Sequence, residues 1–411
     1  MVTLAAPCAI GAEKVLSNEL IKLGFFPISQ APGRVVFSTA NQDSGDQNCS
    51  VPMGQIPTAE DLAAIYRANL CIRTADRIYL VMASFPCRDF DTLFDQVKAI
   101  EWQGWFKKDV RVVVDKVRTH QSVLSSENSI QSISHKAIYS RLGDAWHMST
   151  LPETGDRASV RIYIESNQAL VLLDLSGMPL HRRGYRTAGG EAPIRETLAA
   201  ILLHLMNWRR KIPLHDAFCG SGTIPIEAVL YAYNIAPGLG RRFGLEDLAP
   251  YQGEKALSLI SKEKETAALA IKTDCLVRVT GSDIDQKILL SAQGNAERAC
   301  SIAGRALQVV GRDSRIPRPD FVQASFSDLA APFTEGLLLS NPPYGERLGD
   351  NDSALALYSS MSSLLDAFQG WDFGFITNNQ AFEQAFGRKA TKKRPLRSGN
   401  LETCLYQYKK E

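Results

Sequence analysis

Hydrophobic and polar positions follow different patterns in the two halves of this chain. Over residues 1–176, short alternating or apolar runs typical of strands separate stretches with helical spacing. A polar stretch at residues 41–48 marks a loop. The pattern predicts a small α/β unit over residues 1–57 and an α+β unit over residues 58–176. The strands are predicted at residues 2–5, 35–38, 77–82, 110–114, 158–164 and 169–175, and the helices at residues 12–23, 59–68, 90–100 and 129–142.

From about residue 191 onward, apolar runs alternate regularly with helical stretches. This order predicts a mostly parallel sheet with helices on both faces. Its strands are predicted at residues 214–218, 277–283, 321–325, 336–340, 371–377 and 402–408. The long gap between the first two strands contains a charged helix at residues 254–271, and we interpret this segment as an insertion beside the ligand crevice. Residues 177–190 form a basic linker between the halves.

The tetrapeptide Asn341-Pro342-Pro343-Tyr344 directly follows the apolar run at residues 336–340. The asparagine side-chain oxygen and a prolyl carbonyl can both accept hydrogen bonds from a planar exocyclic amine. The prolines restrict the backbone, and the tyrosine ring can stack on a base. Such an arrangement orients the amine, which is the main contribution that methyl transfer requires. A proline-rich turn after a strand is a common structural alternative.

A glycine-rich turn and an acidic residue follow two earlier predicted strands. Gly220 and Gly222 let a ligand approach the backbone closely just before a helix that begins near Thr223. The dinucleotide-binding fingerprint and the P-loop are both absent from the sequence. Asp283 ends the second strand, where an acid can bind ribose hydroxyls, although helix N-caps of this kind are very common. The order of glycine turn, acid and Asn341 motif, each at the carboxyl end of a strand, supports the functional interpretation of all three.

These motifs resemble those of the class I S-adenosylmethionine-dependent methyltransferases that modify amino groups of bases. More narrowly, the chain is similar to the bacterial 23S rRNA guanine-N2 methyltransferases that carry a THUMP domain. The resemblance spans nearly the whole chain and rests on residues 175–186, 192–200, 216–228, 340–348 and 386–394. It implies an α/β fold. A Rossmann-like class I methyltransferase domain at residues 191–411 would follow an RNA-binding THUMP domain at residues 58–176 and a ferredoxin-like domain at residues 1–57.

The resemblance also implies S-adenosylmethionine as the cofactor. The helix end at Glu196 and Thr197 would border the methionine part, although the helix dipole alone explains an acid in a first turn. The third strand lacks the Gly-Asp pair usual in the family, so the adenine contact falls to Ser325 or Asp328, with an N-cap as the alternative for Asp328. The predicted catalytic residues are Asn341, Pro342, Pro343 and Tyr344, and the predicted cofactor-binding residues are Glu196, Thr197, Asp216, Ala217, Phe218, Cys219, Gly220, Gly222, Thr223, Asp283, Ile284, Ser325, Asp328 and Asn341.

Two basic segments are candidates for RNA contact. Residues 181–186 combine arginines with an aromatic residue in the linker, and arginine pairs well with phosphate oxygens. The densest basic run, residues 387–397, resembles the family's C-terminal hairpin at the rim of the active site. An interdomain salt bridge or a solvated connector is the alternative for the linker, and a solvated face is the alternative for the hairpin. The predicted RNA-binding residues are Lys136, Arg182, Arg183, Arg186, Arg388, Lys389, Lys392, Lys393 and Arg394.

Composition limits the remaining possibilities. The chain has 411 residues, 45% hydrophobic and 22% charged, as in ordinary globular proteins of two or three domains. Its net charge of +2 gives no general case for nucleic-acid binding, so a basic surface must arise from local clustering. The eight cysteines lack Cys-x-x-Cys spacing, Cys219 is better explained as a buried thiol than as a nucleophile, and no histidine pair has metal-ligand spacing. With no signal peptide or transmembrane run, the sequence predicts a cytoplasmic protein that binds neither a metal nor a membrane.

The sequence therefore predicts an enzyme that forms N2-methylguanosine in 23S rRNA or a large-subunit precursor. Because Asn-Pro-Pro-Tyr occurs in both guanine-N2 and adenine-N6 enzymes, a tRNA guanine-N2 enzyme and a nucleic-acid adenine-N6 enzyme stay open as alternatives. A third possibility from another class is a THUMP RNA-binding or assembly protein with an inactive methyltransferase fold. The intact Asp283 and Asn341 argue against that third possibility.

Overall fold

Two seven-stranded sheets organise the part of the chain that the computed structural model describes, which is residues 1–41, 57–186, 193–343 and 351–410. The first sheet forms before the predicted linker and the second after it. Helices pack against both sheets, and one large cluster of buried apolar side chains extends through both parts. The two parts therefore pack against each other along an apolar interface.

The first sheet combines the strands that precede the linker. They are β1 (Thr3–Pro7), β2 (Phe26–Ala31), β3 (Arg34–Ser38), β4 (Tyr79–Pro86), β5 (Arg111–His120), β6 (Arg157–Glu165) and β7 (Gln168–Asp174). Their order in the sheet is β2-β3-β1-β4-β7-β6-β5, with β5 and β6 parallel and the other neighbours antiparallel. Because β1 pairs with β4, the predicted units 1–57 and 58–176 share one continuous sheet. The domain boundary near residue 57 stays a prediction, since it adjoins residues outside the described ranges.

The helices of this first part begin at side-chain caps. They are α1 (Glu13–Lys22), α2 (Ala59–Cys71), α3 (Phe90–Ala99) and α4 (Glu127–Trp146). α2 starts with a capping box, in which the Thr58 hydroxyl accepts from the Asp61 amide and the Asp61 carboxylate accepts from the Thr58 amide. Asp89 caps α3 and Ser126 caps α4, each by accepting a hydrogen bond from one backbone amide in the first turn of the helix. The helices predicted at these four positions are confirmed.

The second sheet has the doubly wound order expected of a Rossmann-like domain. Its strands are β8 (Leu214–Asp216), β9 (Val279–Asp283), β10 (Asp320–Gln323), β11 (Gly336–Ser340), β12 (Trp371–Thr377), β13 (Lys392–Ser398) and β14 (Leu401–Tyr408). The helices are α5 (Glu196–Leu205), α6 (Thr223–Ala232), α7 (Glu254–Leu269), α8 (Gln286–Val309), α9 (Asn351–Ser360), α10 (Ser363–Ala367) and α11 (Phe382–Ala385). The order β10-β9-β8-β11-β12-β14-β13 is parallel except at β14, which is antiparallel to both neighbours. β8 and β11 are adjacent although distant in sequence, so the sheet has its topological switch point between them, where ligands of such folds bind.

The insertion between β8 and β9 packs on the first part of the chain, so its predicted place beside the ligand crevice is wrong. It begins after the C-terminus of α6, whereas the crevice lies at the N-terminus of that helix. The guanidinium of Arg241 donates to the carbonyls of Ser176, Pro179 and Arg182 at 2.6–3.1 Å. The amides of Gly238 and Ala249 donate to the carbonyls of Leu70 and Trp105 at 2.9 Å. The insertion therefore joins the two sheets and does not border the crevice at the switch point. Among the described helices, none is long and apolar enough to cross a bilayer.

Candidate active site

The turn after β8 is held in one conformation by backbone hydrogen bonds to acidic side chains. The amide of Phe218 donates to Asp216 Oδ1 at 3.1 Å, and the amide of Gly220 donates to Asp283 Oδ2 at 2.9 Å. Gly222 caps α6 with a φ of 82°, and a Cβ at this position would lie 2.8 Å from the ring of Phe321. Only glycine suits that position. At Gly220, no heavy atom of the described residues beyond its chain neighbours lies within 4 Å of the place of a Cβ, so the turn leaves its backbone open there to a ligand.

Asp283 and Asp285 have separate roles at the end of β9. The carboxylate of Asp285 caps α8 by accepting from the Lys287 amide at 2.8 Å, so the predicted alternative of Asp283 as the helix cap is wrong. Asp283 instead accepts from the amides of Gly220 and Asp285, one on each carboxylate oxygen, at 2.9 and 3.1 Å. A carboxylate has about four acceptor positions, so each oxygen of this partly exposed group retains one for a hydroxyl.

Asp216 is the buried acid beneath this turn. Burial raises the pKa of its carboxyl to about 7, a shift that the hydrogen bonds from Ser340 and the Phe218 amide oppose and the charge of Asp283 increases. The Ser340 hydroxyl also accepts from the amide of Ala217 at 2.9 Å. Ser340 therefore fastens the end of β11 to the turn after β8, and the next residue in the chain is Asn341.

The described part of the Asn341 motif is rigidly supported. Asn341 and Pro343 are partly exposed and Pro342 is buried. The hydroxyl of Tyr358, on α9, donates to the carbonyl of Pro343 at 3.2 Å and also lies 3.2 Å from the hydroxyl of Thr377. This contact fixes the loop backbone against the end of β12. The predicted stacking residue Tyr344 lies outside the described residues.

Two exposed apolar side chains lie near Asp283, one directly after it in the chain and one on the neighbouring strand β10. Ile284 is 70% exposed and Val322 on β10 is 57% exposed, so this edge of the sheet offers apolar surface to a planar ring. Ser325 caps the short turn at residues 326–328 by accepting from the Ser327 amide. The N-cap predicted as an alternative for Asp328 is therefore wrong, and Asp328 is exposed at the end of that turn. The ring of Phe218, in the glycine turn after β8, lies 5.3 Å from the ring of Phe326, in the short turn at residues 326–328.

Glu196, Thr197 and Thr223 are buried and contact the first part of the chain or the linker. Thr197 donates to Asp76 at 2.9 Å, and Thr223 accepts from Arg186 at 2.6 Å. Glu196 lies 3.4 Å from the Arg186 guanidinium, and burial raises its pKa against the opposing effect of that charge. The structure thus places these residues at the N-termini of α5 and α6 but commits their polar atoms to interdomain contacts. No sequence signal identified Asp76, because it lies in the other half of the chain.

The linker arginines are less available to RNA than predicted. Arg183 is 3% exposed, with its Nε 3.5 Å from Glu227 and its other nitrogens donating to the carbonyls of Leu180 and Arg73. The predicted phosphate contact of Arg183 is therefore wrong, and the alternative of an interdomain salt bridge holds. Arg186 is likewise engaged by the contacts with Glu196 and Thr223 described above, whereas Arg182 is exposed.

The other predicted RNA-binding residues lie on α4 and on the C-terminal hairpin of β13 and β14. Lys136 on α4 is exposed, as are Lys389 and Lys392 at the start of the hairpin. Lys393 pairs with Glu383 at 2.8 Å, and Arg388 and Arg394 are partly buried. Exposed lysines are thus the cations of this hairpin that a phosphate reaches most directly.

The remaining sequence candidates show no further chemistry. Cys219 is 6% exposed and burial raises its pKa, with the charge of Asp216 adding to the shift, so its thiolate is disfavoured. The predicted buried thiol agrees with this position. Within the described ranges, no group of three or more His, Cys, Asp or Glu side chains converges as a metal site.

Comparison with families of known proteins matches two parts of the chain. Residues 183–407 match the family described as an RMKL-like methyltransferase domain, and residues 3–51 match the RlmL ferredoxin-like domain. The first match covers more than half of the chain and includes the glycine turn, Asp283 and Asn341. The predicted Rossmann-like methyltransferase domain and N-terminal ferredoxin-like unit are therefore confirmed.

Curated relatives extend the similarity to the whole chain. The "Putative RNA methyltransferase YpsC" of Bacillus subtilis (strain 168) is 37% identical over 412 residues, covering 99% of this chain and 95% of that protein. The "Ribosomal RNA large subunit methyltransferase K/L" of Shewanella pealeana is 29% identical over 411 residues, covering 99% of this chain and 53% of that protein. The chain thus spans about half the length of the K/L relatives that it matches.

Two solved structures share the fold over their full length. SMU.472, described as "a putative methyltransferase complexed with SAH", is 34% identical with a TM-score of 0.81, covering 100% of this chain and 98% of that chain. A "predicted N6-adenine-specific DNA methylase" from Listeria monocytogenes is 33% identical with a TM-score of 0.82, covering 100% and 96%.

The arrangement at the switch point fits the cofactor that these similarities imply. The open glycine turn suits the amino acid part of the cofactor. The carboxylate of Asp283 retains acceptor positions for the ribose hydroxyls. The exposed apolar edge at Ile284 suits the adenine ring. The chain therefore belongs to the RMKL-like methyltransferase family and uses S-adenosylmethionine as its methyl donor.

Proposed function

We propose that this protein methylates the exocyclic N2 amine of a guanine in 23S rRNA. One observation carries the proposal: the hydrogen bond of 2.9 Å between the Ala217 amide and Ser340 holds the start of the Asn341 motif beside the glycine turn. A motif suited to holding an amine thus adjoins a turn suited to holding the methyl donor. The names of the relatives, a "Putative RNA methyltransferase" and a "Ribosomal RNA large subunit methyltransferase", support RNA as the substrate.

In this proposal the residues of the chain contribute mainly orientation. The Asn341 side-chain oxygen and the Pro342 carbonyl accept hydrogen bonds from the amine, and the Tyr344 ring stacks on the base. Asp283 holds the ribose hydroxyls. When bound, S-adenosylmethionine supplies an electrophilic methyl group that the amine nitrogen can take directly. The Asn341 and Pro342 oxygens hold the amine protons by hydrogen bonds, solvent takes the departing proton, and positioning contributes more than acid–base catalysis.

The substrate must present an unpaired or flipped guanine, because an enzyme pocket cannot reach the N2 amine inside a base stack. We assign RNA capture to residues 58–176 as a THUMP domain, with residues 1–57 as a ferredoxin-like domain and residues 177–190 as the linker to the catalytic domain at 191–411. Lys136, Arg182, Lys389 and Lys392 are exposed cations of the predicted set and would contact phosphates, whereas the exposed Lys393 is paired with Glu383. A ribosomal RNA substrate would place the activity in the cytoplasm.

Adenine-N6 methylation is a second candidate. The Asn341 motif suits either amine, and the structurally similar Listeria protein is described as a "predicted N6-adenine-specific DNA methylase". A tRNA guanine is a third candidate substrate with the same site. A non-catalytic RNA-binding protein has less support, because Asp283 retains acceptor positions beside an open turn and Asn341 is partly exposed.

The proposal is tested by replacing the residue that would orient the amine. Asn341→Ala should lower the rate of methyl transfer by roughly a hundredfold or more, because an orienting contact is lost. The dissociation constant for S-adenosylmethionine, measured by calorimetry, should stay close to the wild-type value, because the other predicted cofactor contacts remain, and it serves as the control for folding. Unchanged turnover in this variant would remove Asn341 from the mechanism.

A further inference from the structure

A cleft of about 360 Å³ lies between the two parts of the chain, away from the candidate active site. α1 and α2 form one side, and α5, α6 and α7 form the other. His204 and Tyr231 line it from the C-terminal turns of α5 and α6, whereas Glu196 and Thr223 begin the same helices at the active site. Since α6 spans ten residues, the cleft is about 15 Å from the cofactor turn along the helix axis. The cleft is therefore a separate site.

The charge of this interdomain cleft is positive. Lys22, Arg67, Arg73 and Arg210 line it, against two carboxylates, Glu19 and Glu263. Glu19 is committed to the backbone and side chain at residues 73–74, since its oxygens accept from two amides and a hydroxyl at 2.6–3.1 Å. The cations consequently exceed the acids, and the oxygens of Glu19 are already engaged by hydrogen bonds.

Buried hydrogen-bonding nitrogens point to a missing partner. Arg73 is 6% exposed, and its Nη1 has no hydrogen-bond partner among the described residues. The same holds within those ranges for Arg67 Nε and His204 Nε2, which are also buried. Buried polar groups in folded proteins are nearly always satisfied, and an exception calls for an unseen partner. The guanidinium nitrogens can only donate, so the partner must carry acceptor oxygens.

Aromatic contacts hold these groups in place around one ring. The guanidinium carbons of Arg210 and Arg73 lie 4.7 and 6.0 Å from the centroid of the Tyr231 ring, and the His204 ring lies 4.6 Å from it. Stacking of this kind fixes the planes of the guanidinium groups before a ligand arrives. Arginines held in this way bind the oxygens of phosphate through paired hydrogen bonds.

We propose that this interdomain cleft binds the phosphate group of a small molecule, as free phosphate or as a mononucleotide. Its volume lies at the lower end of the range for small-molecule sites, about 300–1,000 Å³. The depth of Arg73 excludes the backbone of a folded RNA from its floor, while Lys22 and Thr266 are exposed at the rim and leave an entrance. A bound phosphate would contact both parts of the chain and so stabilise their packing.

The test is calorimetric titration of the full chain with inorganic phosphate and, separately, with GMP. One binding site per chain is expected. Arg67→Met and Arg210→Met should each weaken it at least roughly tenfold, as loss of a charge-assisted hydrogen bond does. Arg209→Met is the matched control, because Arg209 is the exposed neighbour of Arg210 and does not line the cleft; its affinity should equal that of the wild type.

The arms of this experiment also identify the ligand. Binding of phosphate and GMP with similar affinity indicates a site for the free anion, and markedly tighter binding of GMP indicates a phosphate ester. Lys392→Ala removes an exposed lysine of the hairpin, and it should leave the titration unchanged. No saturable binding of either probe at millimolar concentration would overturn the proposal. So would binding that is equal in the wild type, Arg67→Met and Arg210→Met.

Discussion

At the scale of single residues, the pair Asp283 and Asp285 gives a sharp test of cofactor binding. Asp283→Ala should weaken S-adenosylmethionine binding roughly ten- to a hundredfold, since a charge-assisted bond contributes about 1.5–3 kcal/mol. Asp285→Ala removes only the cap of α8, so it should cost about 1 kcal/mol of stability and leave cofactor affinity unchanged. Calorimetric titration of both variants separates the two effects. Equal affinities would exclude Asp283 from the cofactor site.

The buried Asp216 predicts a pH dependence of stability. Its pKa rises from 3.8 to about 7 on folding, because burial disfavours the charge. Between these values the folded state binds a proton that the unfolded state has released. The stabilisation is fully present below about pH 4 and is lost as the pH rises through about 7. Urea denaturation from pH 4 to pH 8 should show the unfolding free energy of the wild type falling more steeply than that of Asp216→Asn. Parallel curves would contradict the assignment.

The sequence predicted the positions of those site residues that lie at the carboxyl end of a strand, because the strand itself is visible in the sequence pattern. Asp216 and Asp283 end their strands, Asn341 directly follows its strand, and all three meet at one edge of the folded sheet. The prediction failed for Arg183, because burial of a linker depends on a partner, Glu227, that belongs to another element. A basic residue in a connector has the same sequence pattern whether it faces solvent or a buried carboxylate.

At the scale of elements, the linker carries a matched pair of arginines. Arg183→Met leaves Glu227 buried without the arginine of its ion pair and should cost about 3–5 kcal/mol of unfolding free energy. Arg182→Met changes an exposed neighbour and should alter stability by less than about 0.5 kcal/mol. Chemical denaturation of both variants measures the difference. If the two variants are equally stable, the linker is a solvated connector and not an interdomain bridge.

Elements were missed where their side chains do not alternate between core and solvent. β2 is largely exposed and contains Pro27, so its sequence lacks the pattern of a half-buried strand. β13 was expected only as part of a basic hairpin, since most of its residues are exposed and five are cationic or proline. The pairing of β1 with β4, which unites the predicted units 1–57 and 58–176, is a non-local contact that periodicity does not contain.

At the scale of the whole molecule, the basic hairpin predicts how RNA binding responds to salt. Lys389→Ala combined with Lys392→Ala should reduce the slope of log K against log salt by about two, since each phosphate contact contributes about 0.9. The matched control removes Lys255 and Lys262, exposed lysines of α7, and should leave the slope unchanged. Filter binding of 23S rRNA fragments over a range of salt concentrations measures both. An unchanged slope in the first variant would place RNA elsewhere.

The contacts between the two parts affect the stability of an isolated catalytic domain. A fragment beginning near residue 191 should bind S-adenosylmethionine yet methylate RNA poorly, because the predicted capture domain is missing. The same cut removes Arg183, Tyr185 and Arg186, the partners of Glu227, Glu196 and Thr223, so the fragment should also be less stable than the full chain. RNA methylation by the fragment as efficient as that of the full chain would exclude residues 58–176 as the capture module.

The most direct test of the proposed function is transfer of a tritiated methyl group from S-adenosylmethionine to total RNA by the full chain, followed by nucleoside analysis. The account predicts that the label appears in N2-methylguanosine and that it is recovered from 23S rRNA. The Asn341→Ala variant should transfer almost none of it. Label found only in N6-methyladenosine, or only in tRNA, would contradict the assigned substrate, and absence of any label would contradict the proposed RNA methylation itself.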